Sequence, residues 1–226
     1  MAFISTFDVL GPEMVGPSSS HTAGACSIAL LARRIAGSPI TEVTFTLYNS
    51  FAETHRGHGT DLALLGGIMG FSPDDRRISR AVSIARERGL AFRFDTALPD
   101  PDIHPNTVDI RAVCQNGNTL LVRGESLGGG KVRISRINHI EVDFSGEYST
   151  LIIIHYDRTG VLAHITACLN EKNVNIAFLK LFRETKGEIA YSIIEFDGSL
   201  PEHTDTMIRE NPDVRDVIFI PIQRGV

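Results

Sequence analysis

Gly16-Pro17-Ser18-Ser19-Ser20-His21-Thr22-Ala23-Gly24-Ala25 is the stretch on which the reading of the first half of this chain turns. Three serines, a histidine and a threonine stand side by side, with glycines at both ends. Directly after them Ala25, Ile28, Ala29, Ala32 and Ile35 recur at helical spacing. The pattern predicts a loop that opens into a helix N-terminus. Free backbone N–H groups and hydroxyl caps there favour an anion such as a carboxylate or phosphate. A helix cap with no further role is the competing reading.

The rest of the first half alternates between strand and helix patterns. Val43, Phe45 and Leu47 alternate with polar residues, as a half-buried strand does. Leu62 to Met69 reads as a short helix. Ser72-Pro73-Asp74-Asp75 reads as the start of another, with Ile78, Ala81, Val82 and Ala85 on its buried face and Gly89 past its end. Strand patterns follow at Phe92–Phe94, Val108–Ala112 and Leu120–Val122. The last two are joined by an Asn116-Gly117 hairpin signal. Val132 to Ile137 and Ile140 to Phe144 are further strands. Together these describe a mixed α/β domain over residues 1–145.

The pattern then resets. Strand, helix, two strands, helix and strand follow in turn through residues 148–222, the βαββαβ order of a ferredoxin-like unit. The fold class expected is therefore α/β (α+β), in two domains.

Composition narrows the function classes. The 226 residues carry a net charge of −5, which argues against nucleic acid as a partner. No apolar run approaches the roughly 20 residues of a membrane span. Met1 to Asp8 lacks the basic flank and long apolar core of a signal peptide, so a cytoplasmic location is expected. Cys26, Cys114 and Cys168 are too few and too scattered for a disulfide framework or a C-x-x-C metal site, and small buried apolar roles suit them. Neither G-x-G-x-x-G nor G-x-x-x-x-G-K-[ST] occurs.

Four segments of the first domain resemble, in order and rough spacing, the signatures of the iron–sulfur-dependent L-serine dehydratases. They are the serine-rich run, Gly57-His58-Gly59-Thr60-Asp61, His104-Pro105-Asn106-Thr107, and Ser126-Leu127-Gly128-Gly129-Gly130. A similar domain occurs as the allosteric substrate-binding domain of some phosphoglycerate dehydrogenases. Asp157-Arg158-Thr159-Gly160 and Val174-Asn175-Ile176 make the second domain resemble an ACT domain. That family regulates amino-acid enzymes by binding a small ligand between paired copies.

The resemblance as a whole is to the beta chain of a two-chain enzyme of that family. It implies deamination of L-serine to pyruvate and ammonia, a step of amino-acid degradation that can feed gluconeogenesis. It further implies a [4Fe–4S] cluster whose open iron assists loss of hydroxide. Such clusters need several thiolates. Three scattered cysteines do not supply them, so no metal is expected on this chain and the cluster ligands are assigned to a separate alpha chain. Ser18, Ser19, Ser20, His21 and Thr22, with Gly59, Thr60, Asp61, Asn106, Gly128 and Gly129, would hold the substrate. His58 and His104 are the proton-transfer candidates, the division between them being open. For each, the competing reading is a turn or surface-loop histidine. The triple glycine suits either a carboxylate cradle or a flexible turn. Asp157, Gly160 and Asn175 would line a regulatory ligand site, and ACT pairing would bring in a second beta chain. The alternative function is a non-catalytic amino-acid-sensing regulatory subunit of another enzyme.

Overall fold

The computed structural model describes residues 13–183 and 185–222; the N-terminal run Met1 to Asp8 and Glu184 of the 184–187 turn lie outside them. The chain divides into two compact units, Met1–Asn138 and His139–Val226. The expected boundary lies between the domains read over residues 1–145 and 148–222; in this division the strand at 140–144 lies on the second side.

The first unit is a sheet with helices on one face. Its strands are β1 (Ile40–Leu47), β2 (Ala91–Thr96), β3 (Thr107–Cys114), β4 (Thr119–Gly128) and β5 (Lys131–Ile137), in the spatial order β2-β1-β3-β4-β5. β1 and β2 are parallel, and the remaining neighbours are antiparallel. The alternation read from the sequence sets the faces. Val43, Phe45, Leu47, Val108, Ile110 and Val122 are fully buried. Gly124 lies on the same face, where a Cβ would fall 2.2 Å from Ile28 Cγ2. Helix α1 (Ala25–Ala36) therefore rests directly on β4. Behind it, Gly67 of α3 (Thr60–Ile68) abuts the Cys26 carbonyl, where a Cβ would come within 2.3 Å. The close crossing of these two helices thus depends on a glycine. The remaining helices of the unit are α2 (Asn49–Thr54) and α4 (Ala81–Glu87).

Two local expectations change. The serine-rich run is not a loop before a helix. Ser19–Gly24 is itself the opening turn, in π geometry, capped by the Ser18 hydroxyl, which accepts from the His21 N–H at 3.1 Å. The helix after Ser72-Pro73 starts three residues late. Asp75 is the cap, accepting from the Arg77 N–H, and residues Arg76–Arg80 form a 3₁₀ turn before α4. The Ser72 hydroxyl is meanwhile engaged by the Asp74 carboxylate.

On the sheet face away from the helices, buried Asp109 receives Arg123 through two bonds of 2.7 Å. Arg136 at 2.8 Å and the Tyr48 hydroxyl at 2.9 Å complete its shell. The carboxylate thus accepts four bonds, one on Oδ1 and three on Oδ2, two guanidinium groups among their donors, which makes its burial tolerable. Tyr48, at the end of β1, is pinned as a result.

The second unit has β6 (Ile140–Phe144), β7 (Ser149–Tyr156), α5 (Val161–Glu171), β8 (Ile176–Arg183), β9 (Ile189–Phe196), α6 (Thr204–Arg209) and β10 (Val214–Ile220). From β7 onward this is the expected βαββαβ. Its sheet runs β10-β7-β9-β8, and the core joins Leu151, Ile153, Val161, Ile165, Leu169, Ile194 and Phe196.

Candidate functional site

The functional residues gather because of strand direction. β1 ends at Leu47, β3 starts at Thr107, and β4 reaches Glu125 opposite Thr107. Segments separated by dozens of residues thus emerge at one end of the sheet, where the opening turn of α1 also lies.

His21 is the hub. Its Nδ1 lies 3.0 Å from Ser20 Oγ and 3.4 Å from Ser18 Oγ, and its Nε2 lies 3.0 Å from Ser50 Oγ. Ser18 and Ser20 are themselves 3.3 Å apart. The imidazole edge meets Phe51 at 5.3 Å and the His58 ring at 4.8 Å between centroids. Burial, and secondarily the nearby His58, hold the His21 pKa below the ordinary histidine value. His21 is therefore neutral at neutral pH, with both nitrogens occupied by serine hydroxyls.

His58 sits in the turn before α3. Its N–H donates to the Thr54 carbonyl at 3.1 Å, and its own carbonyl accepts from Thr22 Oγ1 at 3.0 Å. Gly59, the helix cap, has φ 68°, a left-handed conformation that glycine adopts without strain. The cap is thus backbone, not the Thr60 or Asp61 side chain; Asp61 instead accepts from the Leu62 N–H. His58 Nδ1, Thr60 Oγ1 and Ser126 Oγ are buried and make no hydrogen bond among the described residues. Buried polar atoms without a partner are rare in folded chains, and three of the five among the described residues, the others being Ser135 Oγ and Arg136 Nε, fall in the motif segments.

His104 enters through its loop. The Asn106 N–H donates to His104 Nδ1 at 3.3 Å, an arrangement that leaves Nε2 as the ring's N–H donor. Asn106 is tied to β4, accepting from the Ser126 N–H at 2.9 Å and donating from Nδ2 to the Ser126 carbonyl at 3.4 Å. Ser126 in turn lies against Gly24, where a Cβ would fall 2.0 Å from its hydroxyl. The first, second and fourth motif segments thus touch directly, and the third joins them through Asn106.

Gly128, Gly129 and Gly130 turn the β4–β5 hairpin with φ of 95°, 61° and 82°. That conformation accounts for all three glycines without a ligand, and their cradle role carries no structural support here. Two residues of the cluster escaped the sequence reading: Ser50 and Ser126. Ser126 stands in a quoted motif, and the full burial of its unpaired hydroxyl against Gly24 is a signal only the fold supplies.

The regulatory candidates are engaged within their own unit. Asp157 accepts from the Gly187 N–H at 3.1 Å and from Arg183 at 3.2 Å, which holds its pKa below the ordinary carboxylate value. Asn175 donates to Asp197 at 2.9 Å, and Gly160 caps α5 with φ 93°. The remaining histidines are structural where their contacts are defined. His155 is buried between Ser192 Oγ and the Tyr156 carbonyl, and His164 meets the Met207 carbonyl.

The thiols do not fit a metal cluster. All three are buried, burial raises each pKa, and no group of three or more His, Cys, Asp or Glu side chains placed to hold a metal occurs among the described residues. Cys26 is pushed up to about 12 by burial and then by Asp75 and Asp74, and it donates to the Phe71 carbonyl. Thiolate is the ligating form, and burial works against it at each of these positions.

Comparison with known proteins places this architecture. Residues 5–89 match the family model described as "Serine dehydratase beta chain", and residues 151–218 match an "AHAS small subunit-like ACT domain". The L-serine dehydratase beta chain of Peptoniphilus asaccharolyticus is 42% identical over 208 residues, 92% of this chain and 94% of that one. A probable L-serine dehydratase beta chain of Bacillus subtilis strain 168 is 36% identical over 97% of this chain and 99% of its own length. D-3-phosphoglycerate dehydrogenase of the same organism is 25% identical over 81% of this chain but 34% of its own length. No helix among the described residues is long and apolar enough to cross a membrane. With 42% and 36% identity sustained over nearly their whole length, and with the site motifs joined in one cluster, this chain belongs to the serine dehydratase beta-chain family and carries an ACT domain.

Proposed function

We propose that this chain is the beta subunit of an L-serine ammonia-lyase of the cytoplasm, forming one wall of a site shared with a separate alpha chain. The observation that carries this is the cluster at the sheet end: a neutral His21 bound to Ser18, Ser20 and Ser50, beside unpaired His58, Thr60 and Ser126 atoms. Because its own thiols do not suit ligation, the [4Fe–4S] cluster that the family resemblance implies is assigned to the alpha chain.

The overall change removes a proton from Cα and hydroxide from Cβ of L-serine. The enamine tautomerises to an imine, and hydrolysis returns one water, leaving pyruvate and ammonia. The residues of this chain divide the binding and proton work by which nitrogens remain open. His21 has neither free, so it organises the serine hydroxyls that receive the substrate's carboxylate and amine. His58 has Nδ1 unpaired and is the proton acceptor. His104, with Nδ1 accepting from the Asn106 N–H, presents Nε2–H as a hydrogen-bond donor that stabilises the departing hydroxide. Thr60 and Ser126 hydroxyls complete the polar lining.

The ACT unit supplies regulation by a small ligand. Pairing with a second beta chain is assigned to the edge of strand β8, where Phe178 is 50% and Leu181 38% exposed. The alternative, an amino-acid sensor, accounts less well for unpaired proton-transfer groups and for relatives that are themselves dehydratase beta chains.

The test is anaerobic. This chain is expressed alone and with its alpha chain, reconstituted with iron and sulfide, and pyruvate formation from L-serine is followed. Activity is expected only in the pair. His58→Ala and His104→Ala are each expected to lower kcat about 10²–10⁴-fold with assembly intact. An assembled, cluster-bearing pair without activity refutes the lyase reading. Unchanged turnover in both variants removes the histidines from the chemistry.

A further inference from the structure

The loop that carries His104, residues 97–106, has no regular structure and contains Pro99, Pro101 and Pro105, which have no N–H to offer. Its internal bonds are short-range turn bonds, such as the Ile103 N–H to the Asp100 carbonyl at 3.3 Å and the Asp102 N–H to Asp100 Oδ1 at 3.0 Å. The rest of its anchoring on this side comes from the run Leu47 to Phe51. The Leu47 carbonyl accepts from the Ala97 N–H at 2.9 Å, the Tyr48 N–H donates to Thr107 at 3.1 Å, and the Phe51 N–H donates to Pro105 at 3.3 Å. Between them stands Asn49. Its Nδ2 donates to the carbonyls of Asp100 and Ile103, both at 2.8 Å, and its Oδ1 accepts from the Asp100 N–H at 2.9 Å. Both amide donors and the amide oxygen are thus spent on one loop.

Two features set Asn49 apart from an ordinary turn residue. Its φ is 43°, in the left-handed region that asparagine tolerates better than other side-chain-bearing residues. Its flanks are fixed from the other side: Tyr48 by Asp109 and Arg123, and Ser50 by its bond to His21 Nε2. The same five residues therefore hold the His21 cluster and the His104 loop.

We infer that Asn49 is a positioning residue for the reaction, clamping the 100–103 loop so that His104 is presented at a fixed distance from the His21–His58 cluster. This rests on the reading of His104 as the group that stabilises the departing hydroxide. Glycine at 49 accepts the same φ and deletes all three clamp bonds. Aspartate keeps the acceptor but turns an oxygen toward two carbonyl oxygens.

The experiment uses the assembled two-chain enzyme and a double-mutant cycle with His104. Asn49→Gly is expected to lower kcat about 10–100-fold, the cost of misplacing a catalytic group by about an ångström. KM is expected to stay within about twofold. Asn49→Asp is expected to lose at least as much. In a His104→Ala background, Asn49→Gly is expected to cost less than about twofold more, because the group it positions is gone. Melting curves and far-ultraviolet spectra of every variant separate loss of fold from loss of position. An unchanged kcat in well-folded Asn49→Gly overturns the proposal. So does a full multiplicative loss in the His104→Ala background, which is the mark of a general structural role. If His104→Ala alone leaves turnover unchanged, the role of His104 fails first and the clamp falls with it; the two failures are distinct in the same data set.

Discussion

Replacing Gly24 with alanine tests the contact on which the site is built. An alanine Cβ there falls 2.0 Å from Ser126 Oγ and 2.8 Å from Ser126 Cβ, both far inside ordinary contact. The backbone at Gly24 is right-handed helical, φ −61° and ψ −44°, so alanine meets no dihedral strain. The entire penalty is steric. Forcing a side chain into a packed interior costs about 1–3 kcal/mol, with this clash toward the upper end. The gain from replacing glycine by alanine in a helix, about 1 kcal/mol, offsets part of that. The net is a loss of about 1–2 kcal/mol, or a melting point lower by about 3–6 °C at about 3 °C per kcal/mol. Turnover falls too, since Ser126 and the Asn106 bound to it must move. Ser126→Gly removes both clashing atoms, so the double variant Gly24→Ala/Ser126→Gly is expected to melt above Gly24→Ala yet remain inactive, lacking the hydroxyl. Thermal melts with kcat measurements check this. Gly24→Ala melting within about 1 °C of wild type, or a double variant no more stable than Gly24→Ala, refutes the packing argument.

Protonation supplies a second prediction. His21 is held below its ordinary pKa, so the unfolded chain takes up the proton more readily than the native one. Stability is then constant above about pH 6.5 and declines as pH falls from there through the lowered native value. Urea midpoints at pH 7.5 and 5.5 should differ more for wild type than for His21→Gln; equal differences would sink the assignment. At the other unit, Leu181→Asp places a charge on the exposed edge strand β8. Sedimentation should show weakened self-association with the melting point little changed, whereas intact self-association would move the pairing surface elsewhere.

The elements were legible where period and punctuation agreed. Val43, Phe45 and Leu47 announced β1 by alternation, and Asn116-Gly117 announced the β3–β4 turn, where Gly117 has φ 84°. The βαββαβ order of the second unit followed from six such signals in a row. The opening turn was misjudged because serine and threonine favour caps, while here Ser19, Ser20 and Thr22 are inside the turn and only Ser18 caps it. Nothing local reports that the Asn49 side chain reaches 51 positions along the chain to Asp100. The site residues were found by motif. Their roles were not, because those depend on which nitrogens are already bonded, and that follows from tertiary contacts such as Asn106 on His104.

The distribution of glycines explains why a polar site of this kind stays neutral and close-packed. Gly24 lets Ser126 approach the opening turn, Gly124 lets Ile28 and so all of α1 settle on β4, and Gly67 lets α3 cross α1 at the Cys26 carbonyl. Each removes a side chain at a contact between an element bearing site residues and its support. The turn bearing Ser18, Ser20 and His21 is thereby drawn onto the sheet end, and the start of α3 brings His58 against it. Drawn that close, His21 is desolvated and stays uncharged. A neutral hub can accept from one serine and donate to another, whereas an imidazolium could only donate. The same desolvation that depresses the His21 pKa therefore keeps the serine network able to point hydroxyl protons at a carboxylate and lone pairs at an ammonium, the two charged ends of an amino acid.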